Sequence, residues 1–148
     1  GVFSPGWVEP LARVLATLGA ERAWVVHGAG GFDEISPSGE TSVASLENGE
    51  ISVFTISPRD AGLAESPADS IRGGDAVHNA EALRAVLSGA SGPYRDTVLL
   101  NSAAALVVAG RATDLAEGVA RAAESIDSGR ARDKLDLLVA VSNAGQEP

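Results

Sequence analysis

The sequence predicts an α/β fold: a mixed, partly parallel sheet with an antiparallel hairpin, flanked by helices. Three observations lead there. Over residues 1–27 an apolar opening, a helical pattern and a valine-rich run follow one another with short links. That order of strand, helix and strand suggests a right-handed parallel crossover. Asn48-Gly49 separates two strand-like runs, a strong signal for a two-residue hairpin. From residue 75 onward, apolar residues recur at helical spacing.

The elements follow in order. "GVFSP" reads as the tail of a strand ending in a Ser-Pro turn. Residues 6–19 form a helix with Trp7, Leu11, Leu15 and Leu18, joined by Val14, on one face, and Gly19 stops it. "RAWVVH" (22–27) is a short valine-rich run, as expected of a strand covered on both faces. An antiparallel pair spans residues 41–57, and residues 58–74 form an irregular excursion rich in proline, glycine and small polar residues. Asp75 caps a helix whose Ala82, Leu83, Val86 and Leu87 face inward, and Ser88-Gly89 ends it. Residues 95–110 are apolar almost all round, which predicts a buried helix. Thr113 caps the next, with Leu115, Val119, Ala122 and Ile126 on one stripe. The last helix spans 130–145 with Ala131, Leu135, Leu138 and Val139 aligned.

Composition narrows the function classes. A chain of 148 residues with 45% hydrophobic and 21% charged residues suits one globular domain with a real core. A net charge of −9 argues against nucleic acid or an anionic membrane as partner. A phosphate-bearing substrate then needs a local cation, a metal ion or backbone amides. No apolar run reaches the ~18 residues of a membrane span, and no basic-then-apolar signal opens the chain. The absence of cysteine rules out a thiolate metal site and fits the cytoplasm. With no methionine and an opening that reads as a cut strand, the chain is expected to be a fragment.

The candidate site is Asp33-Glu34, just past the end of the valine-rich strand. In open α/β sheets ligands bind outside the carboxyl ends of strands. Adjacent carboxylates repel unless water or a cation screens them. Magnesium suits such a pair, because it wants hard oxygen ligands and shares its shell with waters and substrate phosphates. The plain alternative is a solvated acidic loop. His27 offers either an acid/base group or a hydrogen bond to the loop backbone, and His78 reads as a surface residue. "GAGG" (28–31) lacks the spacing and the lysine of a phosphate-binding loop, so it reads as a turn presenting the acidic pair. "RGGD" (72–75) is either an anion site at a helix start or a tight turn with Asp75 as cap. Asn101 and Ser102 interrupt an apolar helix and suggest a structural polar network. No serine has a G-x-S-x-G context.

Taken in order, "GVFSPGWVEPLARVLATLGAERAWVVHG", "GFDEISPSGET", "RGGDAVHNAEALRAVLSG", "YRDTVLLNSAAALVVAGRA" and "ESIDSGRARDKL" resemble the C-terminal part of the anthranilate phosphoribosyltransferases. The segments cover nearly the whole chain. The resemblance implies the larger domain of a nucleoside phosphorylase/phosphoribosyltransferase-like fold, incomplete here, with residues 1–148 as its C-terminal portion. It implies transfer of a phosphoribosyl group from phosphoribosyl diphosphate to the amine of anthranilate, with release of diphosphate, in tryptophan biosynthesis. It implies Mg2+ as cofactor, with Asp33 and Glu34 matching the family's acidic metal-binding pair. No acid or base is assigned in this chain. The family's Gly-Thr-Gly-Gly-Asp loop, its Lys-His-Gly stretch and its anthranilate-associated arginine are not in this sequence. The fragment alone is therefore expected to be inactive. The family's dimer contacts lie mainly in the N-terminal helical domain, so a homodimer is expected of the full-length enzyme. Two rivals remain. One is a pyrimidine nucleoside phosphorylase, which does not require the acidic pair. The other is a non-catalytic interaction domain reusing the fold.

Overall fold

A computed structural model describes residues 1–144. The chain opens with a short 3-10 turn, Pro5–Trp7, running into helix α1 (Val8–Thr17). Strands β1 (Arg22–Gly28), β2 (Thr41–Glu47) and β3 (Glu50–Ile56) follow. Two further 3-10 turns, Pro58–Ala61 and Ala68–Ile71, lead to helices α2 (Ala76–Leu87), α3 (Pro93–Val108), α4 (Leu115–Asp127) and α5 (Arg130–Asn143). No described helix is long and apolar enough to cross a membrane.

The sheet order is β1-β2-β3, and both ladders are antiparallel. The hairpin forms as expected: Asn48 and Gly49 both take positive φ, 53° and 83°, the pair of left-handed conformations a tight hairpin turn requires. The partly parallel sheet is corrected. The opening segment forms no ladder and contributes one backbone bond, from the Val2 N–H to the Val26 carbonyl at 2.9 Å. The Ser4-Pro5 step turns the chain into the 3-10 helix, and the pairing of β1 is taken up by β2 in antiparallel sense.

Strand β1 is covered on both faces, as its valines predict. Val25 packs with Val2, Val8, Ala12 and Ala44 beneath α1. Val26 packs with Ile35, Val43, Leu100, Ala103 and Ala104 beneath α3. Period-two alternation places adjacent valines on opposite faces. Helix α4 lies against α3 so closely that a Cβ on Gly118 would stand 2.7 Å from the Ala103 Cα.

Several helical faces are corrected. On α1 the buried residues are Val8 and Ala12, while Trp7, Leu11, Val14 and Leu18 are exposed. Of the expected stripe, Leu15 does pack against the cluster that Val8 and Ala12 form with the sheet. On α2 Val86 is buried but Leu83 is exposed. Helix α3 buries Leu99, Leu100, Ala103 and Ala104 rather than its whole circumference. Helix α4 starts one residue later than expected: Asp114 is its cap, accepting the Glu117 N–H at 2.8 Å. Helix α5 has no buried residue, and Leu138 and Val139 of its expected stripe are exposed. Gly145, at the end of that expected helix, lies outside the described residues.

Candidate functional site

Asp33 and Glu34 sit in the loop between β1 and β2, and both are exposed. The loop around them is firmly held. On its near side the Gly28 N–H donates to the Phe32 carbonyl at 2.9 Å and the Gly31 N–H to the Gly28 carbonyl at 3.2 Å. Gly30 and Gly31 take φ of 83° and 84°, so this reversal needs residues without a Cβ. "GAGG" is thus the turn that presents the acidic pair, as read from the sequence.

On the far side, Ile35 and Ser36 are buried, at 2% and 0% exposure. The Ile35 N–H donates to Asn101 Oδ1 at 2.9 Å, and Asn101 Nδ2 donates back to the Ile35 carbonyl at 3.0 Å. The Ser36 N–H donates to Thr41 Oγ1 at 3.0 Å, and the Ser36 hydroxyl donates to the Ala29 carbonyl at 2.9 Å. These side chains satisfy backbone groups that a loop cannot satisfy through a ladder. The main chain on either side of the acidic pair is thus hydrogen-bonded, while Asp33 and Glu34 themselves are exposed.

Glu34, together with Phe32, Ile35, Tyr94 and Asn101, lines a cavity of about 380 Å³. Asp33 does not line it. Partial desolvation pushes the Glu34 carboxyl above the ordinary glutamate range, and the neighbouring Asp33 carboxyl adds to the rise. A cation between the two would relieve that repulsion. Among the described residues no group of three or more His, Cys, Asp or Glu could form a metal cage. Two hard carboxylates open to solvent fit magnesium, which keeps waters and completes its shell with substrate oxygens. They do not fit a closed zinc site.

The other candidates resolve into structure. His27 Nδ1 donates to the Val2 carbonyl at 2.8 Å, a structural bond that ties down the opening segment rather than the loop expected from the sequence. His78 is exposed. Asp75 caps α2 by accepting the His78 N–H at 2.8 Å, and the Gly74 N–H donates to Asn79 Oδ1 at 2.8 Å. "RGGD" is therefore a turn and cap. Asn101 belongs to a polar network, as its place in an apolar helix suggests. Ser102 is half-buried and borders a separate cavity of about 810 Å³ among α2, α3, α4 and α5.

A family model described as "Glycosyl transferase family, a/b domain" matches residues 1–132. The chain belongs to this family. The anthranilate phosphoribosyltransferase of Rhodopseudomonas palustris (strain TIE-1) is 63% identical over 144 residues, which is 97% of this chain and 43% of that protein. The chain thus spans less than half the length of the curated relatives it matches. The crystal structure of anthranilate phosphoribosyltransferase from Thermus thermophilus superposes with a TM-score of 0.86 at 39% identity, covering 95% of this chain and 41% of that one. The Saccharomyces cerevisiae enzyme, solved in complex with PRPP and Mg, gives a TM-score of 0.84 at 29% identity, covering 92% and 40%.

Within this glycosyl transferase domain, sequence reasoning missed Ser36, Thr41 and the partner of Asn101. Ser36 looks like an ordinary loop residue and Thr41 like an ordinary strand start, and only their complete burial sets them apart. The Asn101 to Ile35 pairing spans 66 positions, and no local pattern reports it.

Proposed function

We propose that this chain is the C-terminal portion of the α/β domain of an anthranilate phosphoribosyltransferase and that Asp33 and Glu34 hold a magnesium ion there. The supporting observation is the rigidly anchored, solvent-facing carboxylate pair at the end of β1, in a chain 63% identical to a protein of that name. The reaction joins the anthranilate amine nitrogen to C1 of the phosphoribosyl group. The bond from C1 to the diphosphate oxygen breaks, diphosphate leaves with the electron pair, and the nitrogen gives up a proton. Bound magnesium supplies neutralisation of charge on the departing diphosphate. This chain's share is to hold the two carboxylates in a fixed frame beside the cavity, so that little reorganisation is needed as charge develops. Phosphoribosyl diphosphate and anthranilate are the substrates of the full-length enzyme, which works as a homodimer in the cytoplasm. The isolated chain is inactive, because the remaining binding groups lie elsewhere in that enzyme.

The test is Asp33→Asn with Glu34→Gln in the full-length protein. Several kcal/mol of charge stabilisation is at stake, so turnover should fall about 100-fold or more. The response to magnesium should flatten while the fold persists by circular dichroism. Wild-type turnover with an unchanged magnesium response would refute the assignment.

A further inference from the structure

We propose that Asn101 is a positioning residue for the acidic pair, holding the main chain beside Glu34 in the geometry that metal binding requires; this rests on the reading of Asp33 and Glu34 as magnesium ligands. Asn101 sits on α3, in a stretch that is otherwise apolar. Its side-chain amide engages both backbone groups of a single residue, Ile35, by accepting the N–H at 2.9 Å and donating to the carbonyl at 3.0 Å. This is the pairing a neighbouring strand would provide, yet Ile35 belongs to no strand. The second Nδ2 hydrogen goes to the Thr97 carbonyl one turn back on α3, at 3.0 Å. Every donor of the amide is therefore in use, and its orientation is fixed by its own helix.

The consequence for Glu34 is direct, because Ile35 is the next residue along the chain. The Ile35 side chain is buried against Val26 and Leu100. Its backbone is fixed by Asn101 and its successor by Thr41 and Ala29. Asn101 and Glu34 also line the same cavity. Groups that orient metal ligands without touching the metal typically change its affinity about 10–100-fold when removed. A residue serving the fold alone would lower stability and leave the affinity of the folded protein unchanged.

The experiment uses the full-length protein, with magnesium and inorganic diphosphate as probes in titration calorimetry and deuterium exchange read at the Ile35 amide. Asn101→Leu removes the polar contacts at similar volume. Asn101→Asp keeps the acceptor for the Ile35 N–H but sets a carboxylate against two carbonyls, and it carries the test where the leucine variant does not fold. Below the unfolding transition, the Ile35 amide should exchange faster, and the apparent magnesium affinity should fall about 10-fold or more for leucine. Aspartate should show a loss in the same direction. Magnesium affinity within about two-fold of wild type in a folded variant overturns the inference, since that margin lies well below the range expected for a ligand-orienting group, as does unchanged Ile35 exchange. Asp33→Asn with Glu34→Gln separates the two ideas. If that double variant keeps wild-type magnesium affinity, the metal assignment fails and the inference with it. If it loses the affinity and the Asn101 variants do not, only the inference fails.

Discussion

Gly28→Ala tests the tie between strand β1 and the acidic loop. Gly28 pairs with Thr41 at the end of β1 and is buried. Its φ lies outside the left-handed region, so the backbone accepts alanine and the obstacle is space. A Cβ there would stand 2.5 Å from the Glu34 carbonyl oxygen, 2.8 Å from the Ser36 Cβ and 2.9 Å from the Ser36 nitrogen. Reaching ordinary contact at 3.4 Å requires the Glu34 carbonyl to retreat by about 0.9 Å. The neighbouring chain cannot yield freely. Ser36 is tied to Thr41 and Ala29, and Ile35 to Asn101. Either the end of β1 moves or those bonds stretch.

Overpacking of this kind costs about 1–3 kcal/mol. The smaller entropy of the unfolded alanine chain offsets about 0.4–1 kcal/mol of it. The net effect is a lower unfolding free energy by urea titration. For function, a misplacement near 1 Å can reduce rate about 100-fold. The magnesium-dependent rate of the full-length Gly28→Ala protein should therefore drop about 10- to 100-fold. Gly6→Ala is the control, because a Cβ at Gly6 meets nothing within 4 Å. Wild-type stability together with a wild-type magnesium response in Gly28→Ala would show that the close approach does not hold the loop.

Gly118→Ala should destabilise by about 1–3 kcal/mol through the α3–α4 contact, where the new Cβ would meet the Ala103 Cα and Cβ at 2.7 Å. Urea unfolding reads this, and a midpoint equal to wild type would mean that the helices separate without cost. Glu117 gives a pH signature. The Thr113 N–H, then Arg121 and the Thr113 hydroxyl, hold its carboxyl down from 4.5 to about 2. A depressed carboxylate stabilises the fold above its unfolded value and loses that contribution as pH falls. Stability should therefore decline between about pH 4.5 and 2, and Glu117→Gln should flatten that part of the profile. Identical acid profiles for the two proteins would remove Glu117 from the account.

Local chemistry was legible in the sequence wherever a few adjacent residues decide the outcome. Asn48-Gly49 makes a tight turn because consecutive positive φ values demand those residue types. Asp75 caps α2 because its carboxylate reaches the His78 N–H within one turn. The acidic pair lies past the end of β1, as its position after the valine run suggests. Helical faces were less legible. Trp7, Leu11, Val14 and Leu18 form an apolar stripe, yet Val8 and Ala12 carry the contact with the sheet. Periodicity shows that a helix has an apolar stripe and not which neighbour meets it, and small residues allow the closest approach. The tethers of the acidic loop were illegible for another reason. Gly28 matters through a contact with the Glu34 carbonyl, and Asn101 through a backbone it meets only after α3 packs against β1.

The anchoring of the loop also bears on what kind of metal site the proposal can describe. The tethers described for residues 28–36 act on main chain or on Ser36, and none of them engages the Asp33 or Glu34 carboxylate. The frame is rigid and the ligands remain adjustable, which suits an ion that demands near-octahedral geometry but keeps its waters. Two carboxylates alone leave most of the magnesium shell to solvent and substrate. Tight binding then requires the phosphate oxygens, so metal and diphosphate should each strengthen the other. By linkage, the factor by which magnesium raises diphosphate affinity equals the factor by which diphosphate raises magnesium affinity. Removing the carboxylates should collapse that shared factor toward one while leaving metal-free diphosphate binding intact. A solvated acidic loop with no role in catalysis has no such factor to lose.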